Sequence, residues 1–124
     1  EDPQTFLPSG GTITRYLEPS GEGVRVDSGV GQGYEVTPYY DPLVAKLIVL
    51  DESRDEATGK MTKALREFTI EGITTNIPLL LKVLDDAAFL SGEYNTGILT
   101  PELVKGTPTR ESGIDLAALR RHGR

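Results

Sequence analysis

Apolar and polar positions change their period along this chain, and the changes divide it into three stretches. In residues 1–42, Thr12-Ile13-Thr14-Arg15-Tyr16-Leu17 and Val24-Arg25-Val26-Asp27-Ser28 alternate with period two, as half-buried strands do. Glu18-Pro19-Ser20-Gly21-Glu22-Gly23 lies between them and is turn chemistry, which predicts a hairpin with a longer loop. Gly29, Gly31 and Gly33 lead into a third short run, Tyr34-Glu35-Val36.

The second stretch, residues 43–86, reads strand–helix–strand–helix. Leu43-Val44-Ala45-Lys46-Leu47-Ile48-Val49-Leu50 is apolar on both alternating faces except at Lys46, the pattern of a central strand covered on both sides. Ser53-Arg54-Asp55-Glu56 fits the Ser-x-x-Glu capping box, in which hydroxyl and carboxylate satisfy two unpaired N–H groups at a helix start. Ala57, Met61, Ala64, Leu65 and Phe68 then form an apolar stripe, with Glu56 and Lys60 as an i,i+4 pair on the wet side. Thr69-Ile70-Glu71-Gly72-Ile73 is long enough for one more strand. Thr74-Thr75-Asn76 offers caps for a second helix that buries Ile77, Leu80, Leu81 and Leu84 and tolerates Pro78 in its first turn. The expected fold is α+β, an antiparallel-rich β-sheet with two main helices packed on it. From Gly92 the pattern thins into Gly, Thr, Pro and Ser, which reads as loop or linker. Ile114–Arg121 has material for two helical turns. The expected division is a domain over residues 1–100 and a linker or tail over 101–124.

Composition narrows the function classes. A chain of 124 residues holds one domain. Thirteen basic against nineteen acidic residues leave a net charge of −6, which argues against phosphate-backbone binding and so against a nucleic-acid partner. No apolar run approaches the roughly 20 residues of a membrane-spanning helix. There is no cysteine, which removes disulfides, thiolate metal sites and thiol nucleophiles and fits a reducing, cytoplasmic setting. The one histidine is His122, so a histidine metal cage or catalytic dyad has no material. The chain starts at Glu1 without a basic-then-apolar leader and reads as a piece of a longer protein.

Few residues invite chemistry on their own. Gly29-Val30-Gly31-Gln32-Gly33 lacks the Lys-Ser/Thr of a phosphate loop, and no helix start follows it; a turn is the better account. Asp51, Glu52, Asp55 and Glu56 suit a helix N-terminus, whereas Asp85-Asp86 sit near a helix C-terminus as solvated acids or as caps of something else. Tyr39-Tyr40-Asp41-Pro42 sets an acid at the entrance of the most apolar strand. The plain reading is an Asp-Pro turn with the tyrosines packing on either face. Lys46 is expected to snorkel to water. Arg25 and Asp27 share one strand face, as a solvated pair or part of an interface. Arg120, Arg121 and Arg124 make a small basic cluster in the tail.

Longer blocks are more specific. Glu1-Asp2-Pro3, Phe6-Leu7-Pro8-Ser9-Gly10, Gly11-Thr12-Ile13-Thr14-Arg15, Gly23-Val24-Arg25-Val26-Asp27-Ser28, Gly33-Tyr34-Glu35-Val36 and Pro38-Tyr39-Tyr40-Asp41 follow one another in the order found in biotin carboxylases. Ala45-Lys46-Leu47-Ile48 and Glu71-Gly72-Ile73-Thr74-Thr75-Asn76-Ile77-Pro78 continue the series. Over about residues 1–100 the chain resembles the C-terminal domain of that enzyme, as found in acetyl-CoA, propionyl-CoA and pyruvate carboxylases.

The resemblance implies an ATP-grasp ligase that uses Mg-ATP and bicarbonate to carboxylate biotin on a carrier protein. In that family the phosphate loop, the ATP lysines, the Mg2+ ligands and the catalytic arginines all precede the Glu-Asp-Pro motif. It therefore implies no catalytic residue, no metal ligand and no cofactor bound by this piece alone, and inactivity without its upstream ATP-grasp domain. It further implies that Asp41 lies beside, and supports, the biotin-site arginine, that Arg25 and Glu22 fall at a homodimer interface, and that Thr96 borders the adenine pocket. At Glu22 some members carry an aromatic, and a charge in place of an apolar anchor argues against a strong dimer. The competing reading is a non-catalytic interaction module on the same scaffold, since fold alone does not fix function. The upstream coding sequence separates the two.

Overall fold

A computed structural model describes residues 1–107. The expected helix at Ile114–Arg121, the tail arginines and His122 lie outside the described residues. Among the described residues five short strands are followed by a helix, a sixth strand and three more helices: β1 (Gly11–Thr12), β2 (Arg15–Leu17), β3 (Val24–Ser28), β4 (Glu35–Val36), β5 (Ala45–Val49), α1 (Arg54–Glu67), β6 (Thr69–Glu71), α2 (Ile77–Asp85), α3 (Ala87–Ser91) and α4 (Pro101–Val104), with a 3-10 turn at Thr96–Ile98 before α4. The α+β class with antiparallel strands holds, and the strands form three separate two-stranded ladders, β1–β4, β2–β6 and β3–β5.

Strand pairing corrects the hairpin expectation. β2 and β3 are not partners: β2 pairs with β6 (Tyr16 opposite Ile70), and β3 pairs with β5 (Val26 opposite Leu47). The turn residues after β2 therefore carry the chain from one ladder to another. Gly72 explains part of this choice. Its φ of 103° and its approach to Thr12, whose carbonyl oxygen would lie 2.0 Å from an added Cβ, let β6 run close under the β1–β2 segment. Thr14 N–H donates to the Glu71 carbonyl at 2.9 Å beside that crossing.

β5 also departs from expectation. Ala45, Leu47 and Val49 are half-buried, and Lys46 and Ile48 are exposed, so the strand is covered on one face and not on both. With β3 as its only ladder partner among the described residues and α1 against it, β5 has no second layer there to bury the other row. Lys46 reaches water as expected.

The helices follow their local signals more closely. In α1, Ser53 caps the Glu56 N–H at 3.2 Å, and its hydroxyl donates to the Glu56 carboxylate at 2.9 Å. That bond occupies Glu56, so the expected Glu56–Lys60 pair does not form. Lys60 instead reaches Asp51 Oδ2 at 3.0 Å and the Leu50 carbonyl at 2.9 Å, tying α1 to the end of β5. Ala64, Leu65 and Phe68 are buried as the stripe requires, and Tyr16 meets Phe68 edge-on with ring centroids 5.7 Å apart. In α2 the buried residue is Leu79, not Leu80, which is exposed. Asp86 caps α3, accepting from the N–H groups of Ala88 and Phe89.

The core comprises Ile13, Ala64, Leu65, Phe68, Ile73, Leu79 and Val104. Its last member belongs to the stretch expected to be linker. Residues 101–107 are docked: Lys82 Nζ donates to the carbonyls of Leu103 (2.8 Å) and Lys105 (3.1 Å), Gln4 Nε2 donates to the Thr107 carbonyl, and Thr107 is 0% exposed. Thr100 starts α4 by accepting from the Leu103 N–H.

Candidate functional site

The chain enters beside a cleft, and its first residues are pinned there. Asp2 Oδ1 accepts from the N–H groups of Gln4 (2.9 Å) and Thr5 (2.8 Å), bonds that hold its carboxyl below the usual carboxylate range, and Pro3 is buried. Glu1 thereby joins the rim of a cleft of about 330 Å³ lined also by Ser9, Val36, the Asp41–Ala45 segment, Ile73–Asn76 and Leu80. Its two walls are tied by the Thr74 N–H donating to Ser9 Oγ at 3.1 Å.

Asp41 stands at this cleft and is exposed. Its Oδ1 accepts from the Leu43 N–H at 2.9 Å, the Asx turn that the Asp-Pro sequence suggested. Oδ2 has no hydrogen-bond partner among the described residues. The neighbouring tyrosines do not pack on either face: Tyr39 is 88% exposed and Tyr40 78%. Together with Leu43 they make an apolar, uncovered margin next to an acid.

The other singled-out residues lie elsewhere. Glu22 lines a second cleft, of about 370 Å³, between the β2–β3 connection and α1, where Asp51, Glu56, Lys60, Lys63 and Glu67 also face it. Arg25 is exposed on β3 and pairs with Asp27 at 3.2 Å, the solvated-pair geometry. Thr96 opens the 3-10 turn, which is capped by Asn95 Oδ1 accepting from the Gly97 N–H at 2.8 Å. Thr96 lines neither cleft. Ser9 and Leu80 complete the Asp41 cleft but carried no signal in the sequence, because segments far apart in the chain bring them there.

The donor chemistry of the Asp41 cleft does not fit a nucleotide's phosphates or their magnesium. No lysine or arginine lines it, its carboxylates are Glu1 and Asp41, and among the described residues no three His, Cys, Asp or Glu side chains are grouped to hold a metal ion. No helix among the described residues is long and apolar enough to cross a membrane.

Ladders and helices around a cleft whose charged lining residues are the acids Glu1 and Asp41 define an α+β domain with an open polar site. The family described as biotin carboxylase C-terminal domain matches residues 1–101, and the chain belongs to it. It is 50% identical over 104 residues to biotin carboxylase 1 of Bacillus subtilis, covering 84% of this chain and 23% of that protein. It is 48% identical over 103 residues to a biotin carboxylase of Halalkalibacterium halodurans, covering 83% and 23%. Among solved structures it resembles the biotin carboxylase domain dimer of Hydrogenobacter thermophilus 2-oxoglutarate carboxylase, in complex with MgADP, ADP and bicarbonate, with a TM-score of 0.75 and 43% identity over 78% of this chain and 22% of that one. The chain thus spans about a quarter of the length of these relatives.

Proposed function

We propose that this chain is the C-terminal part of an ATP-dependent biotin carboxylase, a cytoplasmic ligase that forms the C–N bond between CO2 and biotin on a carrier protein, using Mg-ATP and bicarbonate. It supplies a wall of the active site and subunit contacts, and it is inactive without the upstream ATP-grasp domain. The observation that carries the reading is Asp41: an exposed carboxylate that uses Oδ1 for its own turn and keeps Oδ2 free at the rim of the acidic cleft, beside Glu1 where the chain enters.

A free carboxylate oxygen in a cleft without a cation is complementary to a guanidinium arriving from outside these residues. An arginine upstream of Glu1 in the complete enzyme would be held by charge-assisted hydrogen bonds to that oxygen and oriented toward biotin and bicarbonate. The turn fixes the carboxylate before the arginine arrives, so little order has to be imposed on binding. Magnesium and nucleotide chemistry belongs to the upstream domain, because phosphoryl transfer needs positioned cations that the Asp41 cleft does not supply.

In the complete carboxylase, Asp41→Asn keeps the Asx turn through its amide oxygen and removes the charge. Biotin-dependent ATP cleavage is expected to fall about tenfold or more, on the scale of one hydrogen bond to a charged group. Full biotin-dependent turnover in that variant would contradict the role assigned to Asp41. Equal activity of the isolated chain and the complete enzyme would contradict the proposal as a whole.

A further inference from the structure

The segment that follows α3 has little burial to hold it: Glu93–Gly97 are all exposed. One side chain from another part of the chain grips it. Arg54, the first residue of α1, places its guanidinium 4.9 Å from the centroid of the Phe89 ring and 5.8 Å from that of Tyr94. The two rings lie against one another at 5.0 Å with a 36° tilt. Arg54 Nη2 also donates to the Phe89 carbonyl, in the last turn of α3. Gly92 closes α3 beside it, and a Cβ there would come within 4.0 Å of Arg54 Nε. A planar cation is thus stacked on two aromatic faces and hydrogen-bonded to the backbone between them, which a lysine cannot reproduce.

Beyond Tyr94 the grip is passed along by short local bonds. Asn95 Oδ1 accepts from the Gly97 N–H, and the Ile98 N–H donates to the Asn95 carbonyl at 3.1 Å, which folds Thr96–Ile98 into its 3-10 turn. Tyr94 precedes Asn95, the cap of this turn, and its ring meets Phe89 of α3 and the Arg54 guanidinium of α1. We infer that Arg54 is a positioning residue for the Tyr94–Ile98 segment and, through it, for the nucleotide base in the complete enzyme. The nucleotide half of this inference rests on the proposed function and on the place beside the adenine that the family resemblance implies for Thr96; the clamp half rests on geometry alone.

Two variants test it in the complete carboxylase that carries this domain. Arg54→Met keeps an unbranched apolar stem without the charge or the fork, and Tyr94→Leu removes a ring without touching α1. Loss of one stacked cation and one charge-assisted hydrogen bond is expected to raise KM for ATP roughly five- to twentyfold in Arg54→Met, and two- to fivefold in Tyr94→Leu, with KM for bicarbonate unchanged. Arg54→Lys, which keeps the charge, is expected to recover only part of the loss. Amide hydrogen exchange of residues 94–98 should quicken in Arg54→Met and Tyr94→Leu while that of β3 and β5 stays as it was. An unchanged KM for ATP, or equal changes in the ATP and bicarbonate constants, overturns the nucleotide role. Unchanged exchange at 94–98 overturns the clamp. If the unaltered carboxylase consumes no ATP, the proposed function fails with the nucleotide role, and the exchange measurement still decides the clamp.

Discussion

At the scale of single residues, the most tightly specified point is the meeting of Gly23, Leu50, Asp51 and Lys60. The Leu50 N–H donates to the Gly23 carbonyl at 2.8 Å, the Lys60 ammonium takes the Leu50 carbonyl and the Asp51 carboxylate, and an added Cβ on Gly23 would lie 2.3 Å from the Leu50 carbonyl oxygen. Gly23 also has a φ of 71°, so the position excludes side chains twice over. The Lys60 hydrogen bond, helped by the Glu52 N–H, holds the Asp51 carboxyl below its ordinary value. A depressed folded-state value means that the unfolded chain takes up the proton more readily. The pair's contribution is therefore complete above the ordinary carboxylate range and is lost as pH falls through the lowered folded value. Asp51→Asn should lower stability modestly at neutral pH, where the pair's contribution is complete, and flatten the acid limb below about pH 4, so that the two stability–pH profiles converge at low pH, as read by urea midpoints across pH. An acid limb as steep as that of the unaltered chain would show that the pair is not coupled to folding.

At the scale of elements, α1 is the piece that the others are hung upon. Its N-terminus is capped by Ser53, whose hydroxyl accepts from the Glu56 N–H and donates to the Glu56 carboxylate, its first residue holds α3, its second turn holds the end of β5, and its last turn buries Ala64 and Leu65. Ser53→Ala removes the hydroxyl that both accepts from the Glu56 N–H and donates to the Glu56 carboxylate. The expected cost is about 1 kcal/mol, measured as a lower urea midpoint at unchanged slope. No change in midpoint would mean that the box is not formed in solution. Element positions were legible because their signals are local. The Ser53 cap, the i, i+4, i+7 stripe through Phe68 and the period-two run Val24–Ser28 each lie within one segment and appear where expected, whereas the Thr12–Leu17 run divides into β1 and β2 with different partners. α4 carries a local signal, Thr100-Pro101-Glu102, a cap followed by a first-turn proline, which a reading of the stretch by its Gly, Thr, Pro and Ser content passes over. Leu79 replaced Leu80 on the buried face of α2 because one turn of helix admits either residue until the packing partner is known.

At the scale of the whole molecule, what the sequence did not reveal is which elements touch. The hairpin expectation failed because turn residues after β2 indicate a change of direction without naming the next partner. The two-sided cover expected for β5 failed because an apolar run reports burial, not the number of layers available. For the candidate site, the Asp-Pro turn at Asp41 was legible as local chemistry. Ser9 and Leu80 were not, since only the tertiary fold sets them against it. The docking of residues 101–107 extends the core past the family match that ends at residue 101. A chain ending at Thr100 loses the buried Val104 and Thr107 and both carbonyls that hold Lys82. It should be less stable than a chain ending at Thr107 by about 2–4 kcal/mol, from the area of one core side chain plus hydrogen bonds to a charged group. Equal thermal midpoints for the two chains would assign no stabilising role to α4.

The three ladders carry one more consequence, for the route by which the molecule comes together. Gly11 finds Val36, Arg15 finds Glu71 and Val24 finds Val49, so none of the ladders is closed by a short turn. Each pairing must first gather a long arc of polypeptide, and the entropy of that gathering is met before any ladder repays it. The pairing of β2 with β6 encloses β3, β4, β5 and α1 within its arc. Among the described residues there is therefore no isolated hairpin to start from, and β6, the strand that closes the widest arc, is delivered only after α1 has been synthesised.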